Sequence, residues 1–521
     1  MNQKDTWRLR FTVMVVVITT LPYLMAYFLQ GQNFTFSGFV FGVEDGNSYL
    51  AKMMTGTAGA WLFRTSFTTF PQTGVFAYFP YLLLGKLAGA PGIHDQLVFL
   101  FQLFRIAGVV VYIKAVYDFM RFFIPANQTL QKFGVWIVIL GGGFGFLYLL
   151  AGASLWNGRI PLEFYSPETF GFLMVYGLPH LAFARALFLW GIVNYINPKK
   201  PAYLAGLCWL AVGIFQPLTT AIAWLLVAGF MIGLTIWNYV KRNNHLPLEM
   251  NWFLWVKRSM QAGAVSAPIV LYNFSMFVYE PFLRAWTQQN IISSPPPGDY
   301  LLAYGLVFIV LMISMRNIRF ENHPGLLFLF CWVIILLPLA YFPHNLQRRL
   351  PEAGWVALIT LALTGLAGSS KNIRRLGMAT LGTGLLSTIF FVASTFFGVL
   401  QVGAPMYTPN EEKTVYNIIA QNSNINDVVL APYRNSNEIP AWAPVRVVLG
   451  HGPESVEANQ LKEEIAKIYN LYATEADWQK FVTDHHVNYI LWPASTGEMP
   501  YSGNWIYSNS AFSIFRVAIN P

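Results

Sequence analysis

The 521-residue chain is 55% hydrophobic, 17% aromatic and only 11% charged, where soluble domains carry about a quarter charged residues. Its net charge of +9 does not point to nucleic acid, because Lys and Arg sit mostly in short loops between apolar runs, as the positive-inside rule expects. The runs approach the roughly 20 residues that cross a bilayer and lack the alternation of barrel strands, so the chain reads as a polytopic α-helical membrane protein. Cys208 and Cys331 both lie inside apolar runs; they read as small core residues, without a disulfide or redox role.

Met1 to Arg10 is short and basic, and Phe11 to Leu29 is apolar. The apolar part is long and has no clear small-residue cleavage site, so it reads as a first span with a cytoplasmic N-terminus. Residues 31–75 form the first outer loop. Within it Leu50, Met53, Met54, Thr57 and Trp61 fall on one face at helical spacing, with Lys52 and Arg64 off that stripe. The segment is too polar to span and is expected to lie in the membrane interface, apolar face down. Glu44 and Asp45 stand at its start, where unpaired N–H groups and the helix dipole favour anions.

Phe76 to Gly89 reads as a short second span, Leu97 to Tyr112 as a third and Phe133 to Ala151 as a fourth. Gly141-Gly142-Gly143 in the fourth is not a phosphate loop, since no Lys-Ser/Thr follows; close helix packing is the better reading. Ser154 to His180 is mixed. Eight further apolar runs follow up to Leu400, several of them separated by basic linkers such as Lys199-Lys200, Lys241-Arg242, Arg316 to Arg319 and Lys371 to Arg375. Counting crossings back from Lys371 to Arg375 puts Ser154 to His180 outside, and counting forward from the N-terminus puts it inside. One element in or before that region is therefore re-entrant or an extra span, which gives roughly 11–13 spans in all.

After Gln401 polar and turn residues rise. Helices are expected at Glu411 to Gln421, Glu454 to Tyr469 and Ala476 to Asp484, and strands at Asp427 to Ala431, Val445 to Leu449 and Val487 to Trp492. That alternation indicates a small α/β domain. The division expected is a membrane bundle at residues 1–401 and an extracytoplasmic α/β domain at residues 402–521, on the same face as the acidic loop.

The layout resembles the GT-C class of membrane glycosyltransferases. The residues that carry the resemblance are Glu44-Asp45-Gly46-Asn47-Ser48-Tyr49-Leu50, Gly56 to Phe63 and Tyr78 to Gly85, then Asn345-Leu346-Gln347-Arg348-Arg349, then Val428 to Ala431 and Gly450-His451-Gly452-Pro453-Glu454. The chain has Glu-Asp where some relatives have Asp-x-Asp, and it lacks the Trp-Trp-Asp motif of oligosaccharyltransferases, which argues against that branch. The resemblance implies a sugar taken from a polyprenyl-phosphate carrier and passed to a lipid, glycan or protein acceptor on the outer face of the cytoplasmic membrane. It implies a catalytic acid at the end of the first span.

Such a transfer needs a base for the acceptor proton, or a metal that polarises the hydroxyl. It also needs cations on the departing phosphate. Asp45 is the candidate base, with Glu44 its partner or, with Asp45, a ligand for Mg or Mn. Adjacent carboxylates disfavour each other's charged form, which would help a base work near neutrality. From spacing alone, Asp45 or Asn47 as a helix cap is the better reading; the loop's position and the resemblance favour catalysis. Arg348 and Arg349 sit outside, against the positive-inside rule, and their guanidinium groups match phosphate geometry; the alternative is lipid headgroups or Glu352. His344 is a weaker companion. His180 and Arg185 begin a later span, either as a wall of the donor site or with Arg185 paired internally to Glu163 or Glu168. Ser293 to Gly298 is a stiff outer loop, a gate or simply a turn. His451 and Glu454 do not make a metal site by spacing, so the last domain reads as a binding or docking module. The rivals to an enzyme are a secondary transporter or lipid flippase, and a non-catalytic envelope scaffold; inverted halves, the sign of a transporter, are not seen.

Overall fold

The long apolar runs become long helices. The computed structural model describes residues 3–241, 250–318, 320, 323–469, 473–499, 501 and 503–517; Arg242 and Arg319 of the basic linkers lie outside these. Among the described residues seven helices are long and apolar enough to cross a membrane: Thr6–Leu29, Ile93–Phe123, Pro217–Val240, Trp252–Tyr279, Pro297–Asn317, Gln347–Ala367 and Lys371–Val399. Tyr203–Phe215 and Pro324–Ala340 are apolar but shorter. Val13, Val17, Ile232, Phe253 and Met312 are exposed on such helices, the surface a multi-pass membrane protein turns to lipid.

Two of the expected spans have a different form. The run Phe76 to Gly89 yields a helix only at Phe79–Gly85, 7 residues long, and at 1.5 Å per residue that is about 10 Å, against a hydrocarbon core of about 30 Å. Tyr81 and Leu82 are buried in protein packing instead, while Leu83 is exposed. A Cβ on Gly85 would fall 1.9 Å from the carbonyl oxygen of Met53, and one on Gly56 would fall 2.2 Å from that of Leu82. Bare glycines thus let this short helix and the Val43–Thr57 helix meet backbone to backbone. The run Phe133 to Ala151 is helical over Gln128–Leu140 and stops at Gly141.

The chain forms two compact units, each drawn from several stretches. One comprises Met1–Thr20, Phe104–Phe274 and Ile291–Ser394, the other Leu21–Leu103, Ser275–Asn290 and Thr395–Pro521. The first outer loop, expected with the bundle, therefore shares a unit with residues 402–521.

In the first unit the Gly354–Ala367 helix is buried at nearly every position, and it packs against Gln128–Leu140, Pro297–Ser314 and Pro324–Ala340. Trp355 Nε1 donates to the Ile137 carbonyl at 2.9 Å. The glycine run is used for close approach, as expected. Gly142 N donates to the Gly384 carbonyl at 3.0 Å, and a Cβ on Gly143 would sit 2.1 Å from the Ala303 carbonyl oxygen. The backbone N–H groups of Gly143 and Gly145 donate to Glu163 Oε1 at 3.0 and 2.6 Å.

In the second unit β1 (Phe34–Phe36) pairs antiparallel with β2 (Tyr407–Pro409), Phe34 opposite Pro409. Five further strands, β3 (Val428–Leu430), β4 (Arg446–Val447), β5 (Tyr489–Pro493), β6 (Asn504–Ser508) and β7 (Phe512–Arg516), form a sheet in the order β4-β3-β5-β7-β6. β3 runs parallel to β4 and β5, and β7 antiparallel to β5 and β6. Val428, Leu430, Ile465, Trp478, Phe481, Ile490 and Trp492 share the core that helices Ala458–Ile468 and Glu475–Asp484 close. The expected α/β alternation is present. The Tyr433–Trp442 helix was not expected, because Asn, Ser and Pro440 make it a poor helix former. Burial of eight of its ten residues, Asn435 to Trp442, holds it.

Gly143→Ala is expected to destabilise the protein by about 1–3 kcal/mol, since its methyl has only backbone to press against. A thermal unfolding midpoint in detergent equal to wild type would show that the Pro297–Ser314 helix, which carries Ala303, yields instead.

Candidate active site

The acidic pair opens the Val43–Thr57 helix. The residue before it, Gly42, holds φ 58°, and no side chain caps the helix. Asp45 is therefore a first-turn residue and not the cap, and Asn47 Nδ2 is turned to Asn437 Oδ1 at 2.8 Å. Nor does the helix lie on lipid by one face. Ten of its fifteen residues are buried, including Lys52 at 3% exposure, because Phe79–Gly85 and Tyr433–Trp442 pack against it. Glu44 and Asp45 stay exposed.

Lys52 explains how a cation can be buried here. Its Nζ lies 2.6 Å from Glu454 Oε1, donates to Ser48 Oγ at 2.5 Å and stands 4.5 Å from the centroid of the Tyr78 ring. Glu454 is buried too. Ser48 Oγ donates to its Oε1 at 2.5 Å and Thr65 Oγ1 to its Oε2 at 2.7 Å. Burial alone would raise the Glu454 carboxyl; the Lys52 ammonium and His451 reverse that and hold it well below the usual range.

His451 continues the series. Its Nε2 is 3.2 Å from Asp45 Oδ1, and its Nδ1 is 3.5 Å from Glu454 Oε1, the latter a charge-pairing distance without an aligned hydrogen bond. Burial pushes the imidazole down, but the two carboxylates outweigh it and push it up to about 9. The structure thus sets a cation beside Asp45, where the sequence reading considered only a like charge, Glu44. The Glu44 carboxylate acts on Tyr433, whose hydroxyl is raised by burial and then by that charge. Gly452 N donates to the Tyr433 hydroxyl at 3.1 Å. Gly450 can only be glycine: a Cβ would fall 2.4 Å from the Ser436 carbonyl oxygen.

Sequence reasoning placed Lys52 off the helix stripe and gave His451 and Glu454 no role beyond a binding or docking module, having set aside a metal site by spacing. The i,i+3 separation of His451 and Glu454 was a signal, but Asp45 and His451 are 406 residues apart and nothing local joins them.

The arginines and the other candidates belong to the first unit. Arg348 is half-buried, its guanidinium 4.7 Å from the centroid of the Tyr165 ring. Among the described residues no carboxylate pairs with it. Arg349 Nε lies 3.0 Å from Glu168 Oε1, so its partner is Glu168 and not Glu352. Glu352 instead takes Arg185, which is fully buried, at 2.8 Å. Arg185 also donates to the carbonyls of Pro167, at 2.9 Å, and Glu168. Arg185 is thus paired internally, with Glu352 rather than with Glu163 or the Glu168 carboxylate. His180 is buried in the first turn of the Pro179–Ile196 helix. His344 is exposed, and its Nδ1 accepts from Leu346 N at 3.0 Å, which makes it a loop fastener. The proline-rich stretch braces the arginine loop: Ile292 N donates to the Asn345 carbonyl at 2.6 Å, Arg348 N to the Ile292 carbonyl at 3.3 Å, and the Tyr341 hydroxyl to the Pro295 carbonyl at 2.6 Å.

No protein-family model and no curated protein sequence matches the chain. Solved structures do. The arabinofuranosyltransferase AftD from Mycobacteria matches over 97% of this chain with a TM-score of 0.55 and 10% identity. The apo oligosaccharyltransferase of Archaeoglobus fulgidus matches over 99% of it with a TM-score of 0.53 and 12% identity. The chain spans 40% of the first protein and 75% of the second. At such identities the likeness is one of fold.

His451 titrates higher folded than free, from 6.5 up to about 9. The stability its charge contributes is therefore complete below about pH 6.5 and lost as pH rises through about 9. The unfolding midpoint of wild type is expected to fall over that interval, and that of His451→Gln to change less. Parallel curves for the two proteins would refute the assignment.

Proposed function

We propose that this chain, which has the fold of the GT-C membrane glycosyltransferases, is an inverting glycosyltransferase that moves a sugar from a polyprenyl-phosphate donor to an acceptor hydroxyl on the outer face of the membrane. The observation that carries the proposal is Asp45: an exposed carboxylate on a buried helix, beside a buried histidine 3.2 Å away, in a chain whose fold likeness extends over 97–99% of its length. A solvent-facing acid with an oriented neighbour is what proton abstraction from a hydroxyl requires.

In the reaction the acceptor O–H bond breaks and its proton passes to Asp45. The acceptor oxygen forms the new bond to the anomeric carbon. The bond from that carbon to the phosphate oxygen breaks, and the electron pair leaves with the phosphate. Arg348 is the first candidate to hold that phosphate, because its charge has an aromatic ring for company and, among the described residues, no paired carboxylate. Arg349 shares its charge with Glu168 and is the second. Arg185 positions the segment that carries Glu168 and Glu352 and does not touch the donor. His344 contributes by fastening its loop through Leu346 N, and His180 as a buried residue in the first turn of the Pro179–Ile196 helix. The outer α/β region, residues 402–521, takes part in holding the acceptor through the 450–455 turn.

As they lie, Glu44 and Asp45 do not suit a divalent cation. Asp45 faces His451, itself a cation near neutrality, Glu44 faces Tyr433, and among the described residues no three His, Cys, Asp or Glu side chains are grouped for a metal. No step above passes through one.

The test is transfer in membranes from a panel of polyprenyl-phosphate sugars. Asp45→Asn is expected to lose about 10²–10⁴-fold in kcat, the usual share of a general base. Arg348→Gln is expected to raise the donor KM by roughly 10- to 100-fold, the worth of one or two charged hydrogen bonds. Turnover is expected to persist in EDTA. Loss of transfer on chelation would bring Mg or Mn back to the acidic pair. No turnover of any donor, together with transport of a solute that Asp45→Asn leaves intact, would make the chain a transporter.

A further inference from the structure

The geometry points to His451, backed by Glu454 and Lys52, as the positioning group for Asp45. The inference rests on the reading of Asp45 as the base.

Four side chains alternate in sign: Lys52, Glu454, His451 and Asp45. Three of the four are shut away, with Lys52 at 3%, Glu454 at 9% and His451 at 6% side-chain exposure, while Asp45 is 59% exposed. Burying charge is costly, and a buried ion pair is often no more stabilising than apolar side chains of the same size. A set of three buried charges in a chain that is only 11% charged therefore calls for a role other than stability. The set leads to one place. Glu454 is immobilised by Lys52 and Ser48 on one oxygen and Thr65 on the other. His451 is fixed by its turn, where Glu454 N and Ser455 N both donate to its carbonyl at 2.9 Å, and by Phe67, whose ring centroid is 5.5 Å away. What remains is the imidazole Nε2, aimed at Asp45 Oδ1.

An exposed aspartate samples several rotamers, and a base must meet the acceptor hydroxyl within hydrogen-bond reach. Holding one of its oxygens on a rigid donor selects the productive rotamer in advance. A misplacement of about 1 Å can cost roughly 10²-fold in rate. His451 does not itself take the proton; it acts through Asp45.

The experiment uses the full-length protein in membranes or detergent, with the donor found to turn over. His451→Gln keeps the size and a polar tip. It is expected to lower kcat by roughly 100-fold while leaving KM for donor and acceptor unchanged. The double variant Asp45→Asn/His451→Gln is expected to be no slower than Asp45→Asn, because the histidine has no separate route to the reaction. Glu454→Gln alone would leave Lys52 buried without its anion, so it is combined with Lys52→Met; the folded pair is expected to show the same kcat loss as His451→Gln. A His451→Gln enzyme with wild-type kcat overturns the inference, as does a loss that falls on KM or multiplies with that of Asp45→Asn. If Asp45→Asn itself retains wild-type turnover, the base assignment fails and the positioning role with it. If Asp45→Asn loses turnover and His451→Gln does not, only the positioning role fails.

Discussion

A lysine ammonium and a glutamate carboxylate 2.6 Å apart, both removed from solvent, join the Val43–Thr57 helix to the turn at residues 450–455. Neither group can be buried alone at tolerable cost. Each thereby commits the other to one place, and the commitment spreads: Ser48 and Thr65 must turn to Glu454, Tyr78 must lie against Lys52, and His451 must stand at the far end. The exposed Asp45 inherits its orientation from that arrangement. In a protein where most packing is non-directional, the charges supply the direction.

The first unit obeys the same constraint with different partners. Arg185 is wholly buried and is answered by Glu352 and by backbone carbonyls. Arg105 is buried and is met by Thr19 and Thr20, with donor distances of 2.9 to 3.3 Å. Glu163 is met by the N–H groups of a glycine-rich stretch, which only glycine allows to come so close. Arg185, Arg105 and Glu163 are each answered by a charge or by hydrogen-bonding groups, whereas Arg348 lies over the Tyr165 ring and, among the described residues, pairs with no carboxylate. That contrast, rather than the doubling of arginines, is the physical reason to read Arg348 as the anion-binding member.

Much of the architecture was legible because hydropathy is a local property. Phe11 to Leu29 or Ala262 to Val278 cannot be placed anywhere but in an apolar surround, and the acidic pair stands out because carboxylates are rare in such a chain. Hydropathy does not say what the surround is. Phe79–Gly85 is as apolar as a span, yet its glycine is spent on contact with Met53 and not on crossing lipid. The Tyr433–Trp442 helix escaped notice for the converse reason, since its residues favour turns until burial decides otherwise.

From its sequence alone this chain reads as a multi-pass helical membrane protein with an acidic pair, Glu44 and Asp45, after its first apolar run and a terminal α/β region. Composition and short-range spacing suffice for that, because each of those features is written in neighbouring residues. The tertiary structure alone decided that Lys52 is buried, that Arg185 answers Glu352, and that the partner of Asp45 is His451. Electrostatic partners are set by distance in space, and 406 residues separate Asp45 from His451.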